Sequence, residues 1–124
     1  MVRVYVAGPY WAETPEGIAA NVHKAAAEGA ELLRLGYVPF VPHSMFHKWS
    51  AAPDLSEERI LWACCAWLGQ CTVMLLLPGW QQSKGTLQEL RCARALGMPV
   101  FVTRADLLAA LPAEGTGTRE RGND

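Results

Sequence analysis

Residues 73–98, with the sequence VMLLLPGWQQSKGTLQELRCARALGM, decide the fold class of this chain. The segment opens with five consecutive apolar side chains, residues 73–77. Such a run is typical of a strand that is covered on both faces in a parallel sheet. Pro78 and Gly79 are expected to end this strand.

A helix is predicted to follow the strand and to begin close to Glu89. Thr86 and Glu89 have the spacing of a helix-capping box, and Gly97 supplies a C-terminal stop. A strand, a glycine-containing loop and a helix in this order place backbone N–H groups and one carboxylate at the carboxyl edge of the sheet. Open α/β folds bind ligands in crevices at this edge. The apolar stripe expected on the helix is Leu87, Leu90, Ala93 and Leu96.

The chain before this segment reads as two strands and a helix between them. Residues 3–7 form the first strand, and residues 37–41 form the second, which Pro42 closes. Thr14 and Pro15 give the N-cap and first position of the intervening helix, which Gly36 ends. The buried face expected for this helix is Ile18, Val22, Ala25, Ala26, Gly29, Leu32 and Leu33.

The remaining elements complete an alternating β-α order. Residues 43–53 are expected to form an irregular loop, after which Asp54 or Ser56 caps a helix that runs to Leu68. A fourth strand over residues 99–103 and a short helix over residues 105–111 follow the central segment. The core positions expected on the helix before Leu68 are Ile60, Leu61, Cys64 and Leu68 itself.

This order predicts an α/β fold, a three-layer α/β/α sandwich with a parallel, flavodoxin-like or Rossmann-like sheet. Residues 1–112 are expected to form one domain, and residues 113–124 a flexible polar tail.

Composition points to a small ligand. The 124 residues carry a formal net charge of -1 and no basic run, which argues against a nucleic-acid polymer as partner. No secretory signal or membrane span is visible, so a cytoplasmic protein without a membrane partner is expected. The four cysteines are read as reduced thiols; they are Cys64, Cys65, Cys71 and Cys92.

Two motif interpretations are rejected. Lys84 lies in a loop that lacks the glycine spacing of a P-loop. His43 and His47 follow a proline in a predicted loop, and the cysteines form no Cys-x-x-Cys pair, so no metal site is expected.

Glu89 has two readings from the residues alone. It is either the third residue of a capping box that only holds Thr86, or an ionised carboxylate, favoured by the helix dipole, that can attack an electrophilic sugar carbon. The aromatic residues are equally open. Tyr5 is a core residue by default, whereas Tyr10, Trp11 and Trp80 either cover the core or stack on a base.

The sequence resembles the nucleoside 2-deoxyribosyltransferase-like superfamily, in particular a small uncharacterised branch. The resemblance is carried by Tyr5-Val6-Ala7-Gly8-Pro9-Tyr10, by Gly79-Trp80-x-x-Ser83-x-Gly85-x-x-x-Glu89 and by residues 93–99, and it extends from Val2 to about Val102. It implies the fold derived above and cleavage of the N-glycosidic bond of nucleosides or their 5'-monophosphates. It also implies a homo-oligomer and no cofactor.

The resemblance assigns catalytic roles to the nucleophile Glu89 and to Tyr5. Ser83 stands where the superfamily's monophosphate hydrolases carry a serine that contacts phosphate and its transferases an aspartate, which indicates a (deoxy)nucleoside 5'-monophosphate as substrate. Cleavage then runs through a covalent glycosyl-enzyme intermediate. The residues expected to bind substrate are Gly8, Pro9, Tyr10, His43, Trp80, Ser83, Lys84 and Gly85.

One departure from the superfamily concerns the proton donor to the leaving base. The second carboxylate of the superfamily should fall around Cys64 and Cys65, where no acid stands. Either another group protonates the base, with His43 or His47 as candidates, or the chain is a nucleotide-binding or sensing module without turnover.

Overall fold

The computed structural model describes residues 1–113, and it contains a four-stranded, all-parallel sheet in the order β2-β1-β3-β4. The predicted three-layer α/β/α fold is confirmed. The predicted polar tail lies outside the described residues from residue 114 onward. The strands are β1 (Arg3–Ala7), β2 (Val38–Phe40), β3 (Val73–Leu76) and β4 (Val100–Phe101). The α-helices are α1 (Pro15–Arg34), α2 (Pro42–Phe46), α3 (Glu57–Leu68), α4 (Lys84–Ala95) and α5 (Arg104–Ala110).

The helix boundaries follow local chemistry. The Thr14 side chain accepts a hydrogen bond from the Gly17 N–H, and Pro15 takes the first position of α1, as predicted. Ser56 caps α3 by accepting from the Arg59 N–H. These caps satisfy N–H groups that have no partner inside the helix.

The predicted irregular loop over residues 43–53 is wrong. Pro42 begins the short helix α2, and a 3-10 helix follows over Trp49–Ala51. Proline is well suited to the first helical position because it lacks the N–H that would otherwise be unsatisfied there. Five residues are too few to display a helical repeat, so the sequence pattern did not reveal α2.

The two faces of the sheet pack against different helices. The first face carries Tyr5 and Met74 and packs against α2, α3 and α4. The second carries Val4 and Leu75 and packs with residues of α1 and α5. Alternate residues of one strand therefore enter different cores, because side chains along a strand point to opposite faces.

Several residues predicted to be buried are exposed. Ala26 and Leu33 on α1 face solvent, because Ala25, Gly29 and Leu32 are the residues that meet the sheet. A Cβ at position 29 would lie 2.6 Å from Val41 Cγ2, so α1 approaches the sheet too closely for any larger residue.

The buried stripe of α4 also differs from the prediction. Leu87 and Leu96 are exposed, and the buried residues of this helix are Thr86, Glu89, Leu90 and Ala93. The stripe has helical spacing, but two of its members are polar, so a search for apolar residues alone selected the wrong face.

The strand order places a topological switch point between β1 and β3. From β1 the chain continues to β2 on one side of the sheet, and from β3 it continues to β4 on the other side. Open α/β folds bind ligands at the carboxyl ends of the two strands that flank such a point. The two loops touch there: a Cβ on Gly79, whose φ is 89°, would lie 3.1 Å from Pro9 Cγ.

Candidate active site

The start of α4 is set by Ser83. Its hydroxyl oxygen accepts hydrogen bonds from the Thr86 N–H at 3.3 Å and from the Thr86 hydroxyl at 2.8 Å. The helix therefore begins at Lys84, not close to Glu89. The predicted capping box of Thr86 and Glu89 is wrong, and so is the reading of Glu89 as a cap, because Glu89 lies in the second turn.

Glu89 is paired with Tyr5 inside the protein. The Tyr5 hydroxyl donates a hydrogen bond to Glu89 Oε2. Tyr5 is completely buried, and Glu89 is only 9% exposed. From the rise per residue of helices and strands, both lie roughly 7 Å below the carboxyl edge of the sheet. The structure thus brings together the two residues to which the resemblance assigned catalytic roles.

Cys64 of α3 is the third polar group beside this pair. Its thiol is close enough to the Tyr5 hydroxyl and to Glu89 for electrostatic interaction with both. Phe40 packs on Tyr5 with ring centroids 5.7 Å apart and closes another side of the cluster. We call Tyr5, Cys64 and Glu89 the buried polar cluster.

Burial sets the protonation of this cluster. It raises the pKa of Glu89 to about 7, although the hydrogen bond from Tyr5 acts in the opposite direction. It also raises the pKa of Cys64 to about 11, with the Glu89 charge adding to the shift. The pKa of Tyr5 is raised far above its usual range, first by burial and then by the Glu89 charge. Glu89 is thus not the fully ionised first-turn carboxylate that the sequence suggested, and near pH 7 it exists in both forms.

His43 secures the loop that follows β1. Its Nε2 lies 3.0 Å from the Gly8 carbonyl oxygen and 3.1 Å from that of Pro9, so Nε2 carries the proton and donates it. The Nδ1 atom is buried and has no hydrogen-bond partner within the described residues. Burial lowers the pKa of His43, which favours the neutral ring.

Tyr10 is held from two sides. Its hydroxyl is 3.0 Å from His47 Nδ1, and its carbonyl oxygen accepts a hydrogen bond from the Asn21 side chain at 3.1 Å. The loop residues Gly8, Pro9 and Tyr10 are therefore fixed at the end of β1. Gly8 is buried against Leu77, whose Cβ a side chain at position 8 would meet at 2.7 Å.

The other predicted substrate-binding residues lie at the end of β3 and the start of α4. Trp80 is half-buried and packs against the core that contains Tyr5. Lys84 and Gly85 are exposed in the first turn, and Ser83 is half-buried beneath them. Trp11 is 70% exposed in the β1–α1 loop.

Among the surface grooves of the described residues are two that Glu89 does not line. One groove, of about 350 Å³, lies between α2 and α3 and is lined by residues that include Trp49 and Trp62. The other lies between α1 and β2. Glu89 is only 9% exposed, so its carboxyl group is more enclosed than the open crevice that the sequence led us to expect.

Metal and membrane features are absent from the described part of the chain. No group of three His, Cys, Asp or Glu side chains in residues 1–113 is arranged to hold a metal ion. The four cysteines are free thiols. Among the helices of this same range, none has both the length and the apolar character needed to cross a bilayer.

The sequence reasoning missed three contributors to the site. Thr86 is buried and bonded to Ser83, Asn21 holds the Tyr10 carbonyl, and Cys64 lies beside Tyr5 and Glu89. Cys64 had been expected as a core position and noted as the place of an absent acid, but not as a neighbour of Glu89. Helical spacing could have pointed to Thr86, because it lies one turn from both Glu89 and Leu90, but no sequence signal marks Asn21.

Comparison with known proteins supports the fold and places the chain in a family. A solved structure of a 2-deoxyribosyltransferase from the psychrotolerant bacterium Bacillus psychrosaccharolyticus is similar, with a TM-score of 0.53 and 19% sequence identity; the similarity covers 89% of this chain and 82% of that one. At this identity the likeness shows a shared fold. No curated protein matches the sequence. The family described as "Domain of unknown function (DUF1937)" matches residues 2–105, and the chain belongs to this family.

Proposed function

We propose that the protein cleaves the N-glycosidic bond of a (deoxy)nucleoside 5'-monophosphate, by hydrolysis or deoxyribosyl transfer, with Glu89 as nucleophile. The observation that carries the proposal is the hydrogen bond from the buried Tyr5 hydroxyl to Glu89 Oε2 beside the β1/β3 switch point. Burying a carboxyl group is costly, and such groups are concentrated where chemistry needs them. The deoxyribosyltransferase with the same fold supports the reaction class.

In this proposal the ionised Glu89 attacks the anomeric carbon of the sugar. The C1'–N bond breaks, its electron pair leaves with the base, and a glycosyl ester forms on Glu89. Water, or a second base, then displaces the carboxylate from C1'. Tyr5 orients the carboxylate and leaves its other oxygen available for attack.

The phosphate is assigned to the start of α4. Ser83, Lys84 and the Gly85 backbone lie in its first turn, where N–H groups without intrahelical partners and the helix dipole favour an anion. Tyr10 and Trp80 lie in the two touching loops, and we assign their half-buried rings to contact with the sugar and base. The assigned substrate is therefore a nucleotide.

We assign a homo-oligomer to the functional state. The groove between α2 and α3 is lined by apolar residues, among them Trp62, which is 65% exposed. An exposed apolar surface of this kind often marks a protein contact. Sedimentation velocity measures the oligomeric state directly, and a strictly monomeric protein at micromolar concentration contradicts this assignment.

Base release tests the catalytic proposal. The protein is incubated with deoxynucleoside 5'-monophosphates at pH 8, and free base is measured by chromatography. Glu89→Gln is expected to lower the rate at least about a thousandfold, because it removes the nucleophile. Glu58→Gln, which changes an exposed carboxylate on α3, is the matched control and should retain the full rate.

A second candidate function is nucleotide binding without turnover. It is favoured by the two cysteines at positions 64 and 65, where an acid was expected, and by the burial of Glu89. The two candidates differ in one result: calorimetric binding of a nucleotide with no released base supports the sensor, whereas Glu89-dependent base release supports the enzyme.

A further inference from the structure

The groups around Glu89 are poor proton donors to a departing base. Efficient general acids have pKa values near the working pH. The polar neighbours of the carboxyl group include the Tyr5 hydroxyl, which is already donating to Glu89, and the thiols of Cys64 and Cys65, with pKa values of about 11 and about 12. Asp54, Glu57 and Glu58 are exposed around the start of α3, and even Glu58 lies roughly 9 Å along the helix from Cys64.

The two histidines of the site are also committed elsewhere. The Nε2 proton of His43 is directed at the Gly8 and Pro9 carbonyl oxygens, and burial keeps its ring neutral. His47 contacts Tyr10 through Nδ1, which lies 3.0 Å from the Tyr10 hydroxyl, and through its ring. The His43 imidazole therefore has no proton to give to a departing neutral purine or pyrimidine.

A cationic base needs no proton in order to leave. When the base is a pyridinium ring joined to C1' through its nitrogen, attack by the Glu89 carboxylate forms the C1'–O bond. The C1'–N bond breaks, and its electron pair neutralises the ring nitrogen. The products are a neutral pyridine and the glycosyl ester, and water then releases the sugar phosphate and restores the Glu89 carboxylate with loss of one proton to solvent.

A cationic substrate would also prepare the nucleophile. A positive charge near a buried carboxyl group lowers its pKa and favours the ionised form. Because burial holds the pKa of Glu89 at about 7, a neutral base leaves a fraction of the enzyme protonated at neutral pH, whereas a cationic base does not. The aromatic rings of Tyr10 and Trp80 can stabilise such a cation through their faces.

We propose that the preferred substrates of this site are pyridinium nucleoside 5'-monophosphates, which release a neutral pyridine without general-acid catalysis. This inference rests on the proposed function, because it takes Glu89 as the nucleophile and the start of α4 as the phosphate site. It adds the chemical class of the leaving group, which neither the fold nor the family determines.

The test uses four nucleotides that differ in base and sugar: nicotinamide mononucleotide, its 2'-deoxy form, AMP and dAMP. For either sugar, we expect kcat/KM for the pyridinium nucleotide to exceed that for the purine nucleotide by a hundredfold or more, about the contribution of a general acid. For the pyridinium nucleotides, kcat/KM should rise with pH as Glu89 ionises and then stay constant, with no decrease at alkaline pH.

Variants at position 64 separate site chemistry from the intrinsic reactivity of pyridinium compounds. Cys64→Asp supplies a carboxyl group where the site has a thiol, and it should raise the rate of purine release relative to nicotinamide release at least tenfold. Cys64→Ser matches the size of the thiol without supplying an acid and should not raise this ratio. Glu58→Gln changes an exposed carboxylate on the same helix and should leave both rates unchanged. If Cys64→Asp does not fold, the wild-type pH profiles alone decide.

The outcomes distinguish the inference from the proposed function. Two results overturn the inference and leave the proposed function standing: kcat/KM for purine release equal to that for nicotinamide release, or kcat/KM for purine release that decreases at alkaline pH. Either result shows that the site supplies a general acid. Failure to release base from all four nucleotides overturns the proposed function itself.

Discussion

The two faces of the sheet carry residues of opposite character, although they alternate along the same strands. The face toward α1 and α5 is lined on the strands by aliphatic side chains such as Val4, Val6 and Leu75. The face toward α3 and α4 includes the buried polar cluster of Tyr5, Cys64 and Glu89. Aliphatic burial stabilises the fold at every pH, whereas a buried carboxyl group opposes folding whenever it is ionised. The comparison distinguishes the aliphatic residues that stabilise the fold from the buried carboxyl group of Glu89, which lowers the stability of the fold when it is ionised.

The largest effect is expected on the aliphatic face. Leu75→Ala should lower the free energy of unfolding by about 2–5 kcal/mol, because it removes a fully buried side chain and leaves a cavity. Urea denaturation should give the same loss at pH 5 and pH 8. Leu33→Ala on α1 is the matched control, because Leu33 is 63% exposed and should cost less than about 0.5 kcal/mol. A pH-dependent loss in Leu75→Ala contradicts the distinction between the two faces.

A smaller and pH-dependent effect is expected at Glu89. Its folded-state pKa of about 7 lies above the ordinary value of 4.5, so the folded protein binds this proton more tightly than the unfolded chain. The resulting stabilisation is complete below about pH 4.5 and is lost as pH rises through 7, with a total of about 3 kcal/mol.

The isosteric Glu89→Gln variant isolates this contribution. The stability of the wild type minus that of Glu89→Gln should fall by about 3 kcal/mol between pH 4.5 and pH 8. Denaturation at several pH values measures the difference, with Glu58→Gln as an exposed control that should show no such fall across pH 6–8. A difference that stays constant from pH 5 to pH 8 shows that Glu89 is ionised throughout and removes the pKa shift from the account.

The smallest effect is expected at the helix start. Ser83→Ala removes the N-cap of α4 and should cost about 1 kcal/mol. Ser56→Ala removes the equivalent cap of α3 and should cost the same. The two variants should differ in function: base release from monophosphates falls in Ser83→Ala and is unchanged in Ser56→Ala. Equal activity in both variants restricts Ser83 to capping.

Most of the fold was predictable because its signals are local. Two helix starts were predicted correctly, one from Thr14 with Pro15 and the other from Ser56. The apolar run after Thr72 predicted a buried strand. The start of α4 was misplaced because Ser83 and Thr86 are both good N-cap residues. In the folded loop, the Ser83 hydroxyl accepts from the Thr86 N–H, so Ser83 is the N-cap. The short α2 lacked any repeat that would have revealed it.

The sequence singled out Tyr5 and Glu89, but it did not predict the environment in which Glu89 lies. Both residues were named from the resemblance, and they are in contact across 84 residues of chain. The burial of Tyr5 was expected, whereas that of Glu89 was not, because Glu89 had been assigned to the first turn of its helix. The contact of Cys64 with this pair depends on how α3 lies beside α4.

The sequence by itself determined the order of elements, the parallel sheet and most helix caps, because these depend on side-chain periodicity and on hydrogen bonds within a few residues. Only the tertiary structure decided the protonation of Glu89, the partner of its carboxylate and its burial. Those properties come from desolvation and from contacts between residues distant in the chain, and both exist only after β1, α3 and α4 have packed together.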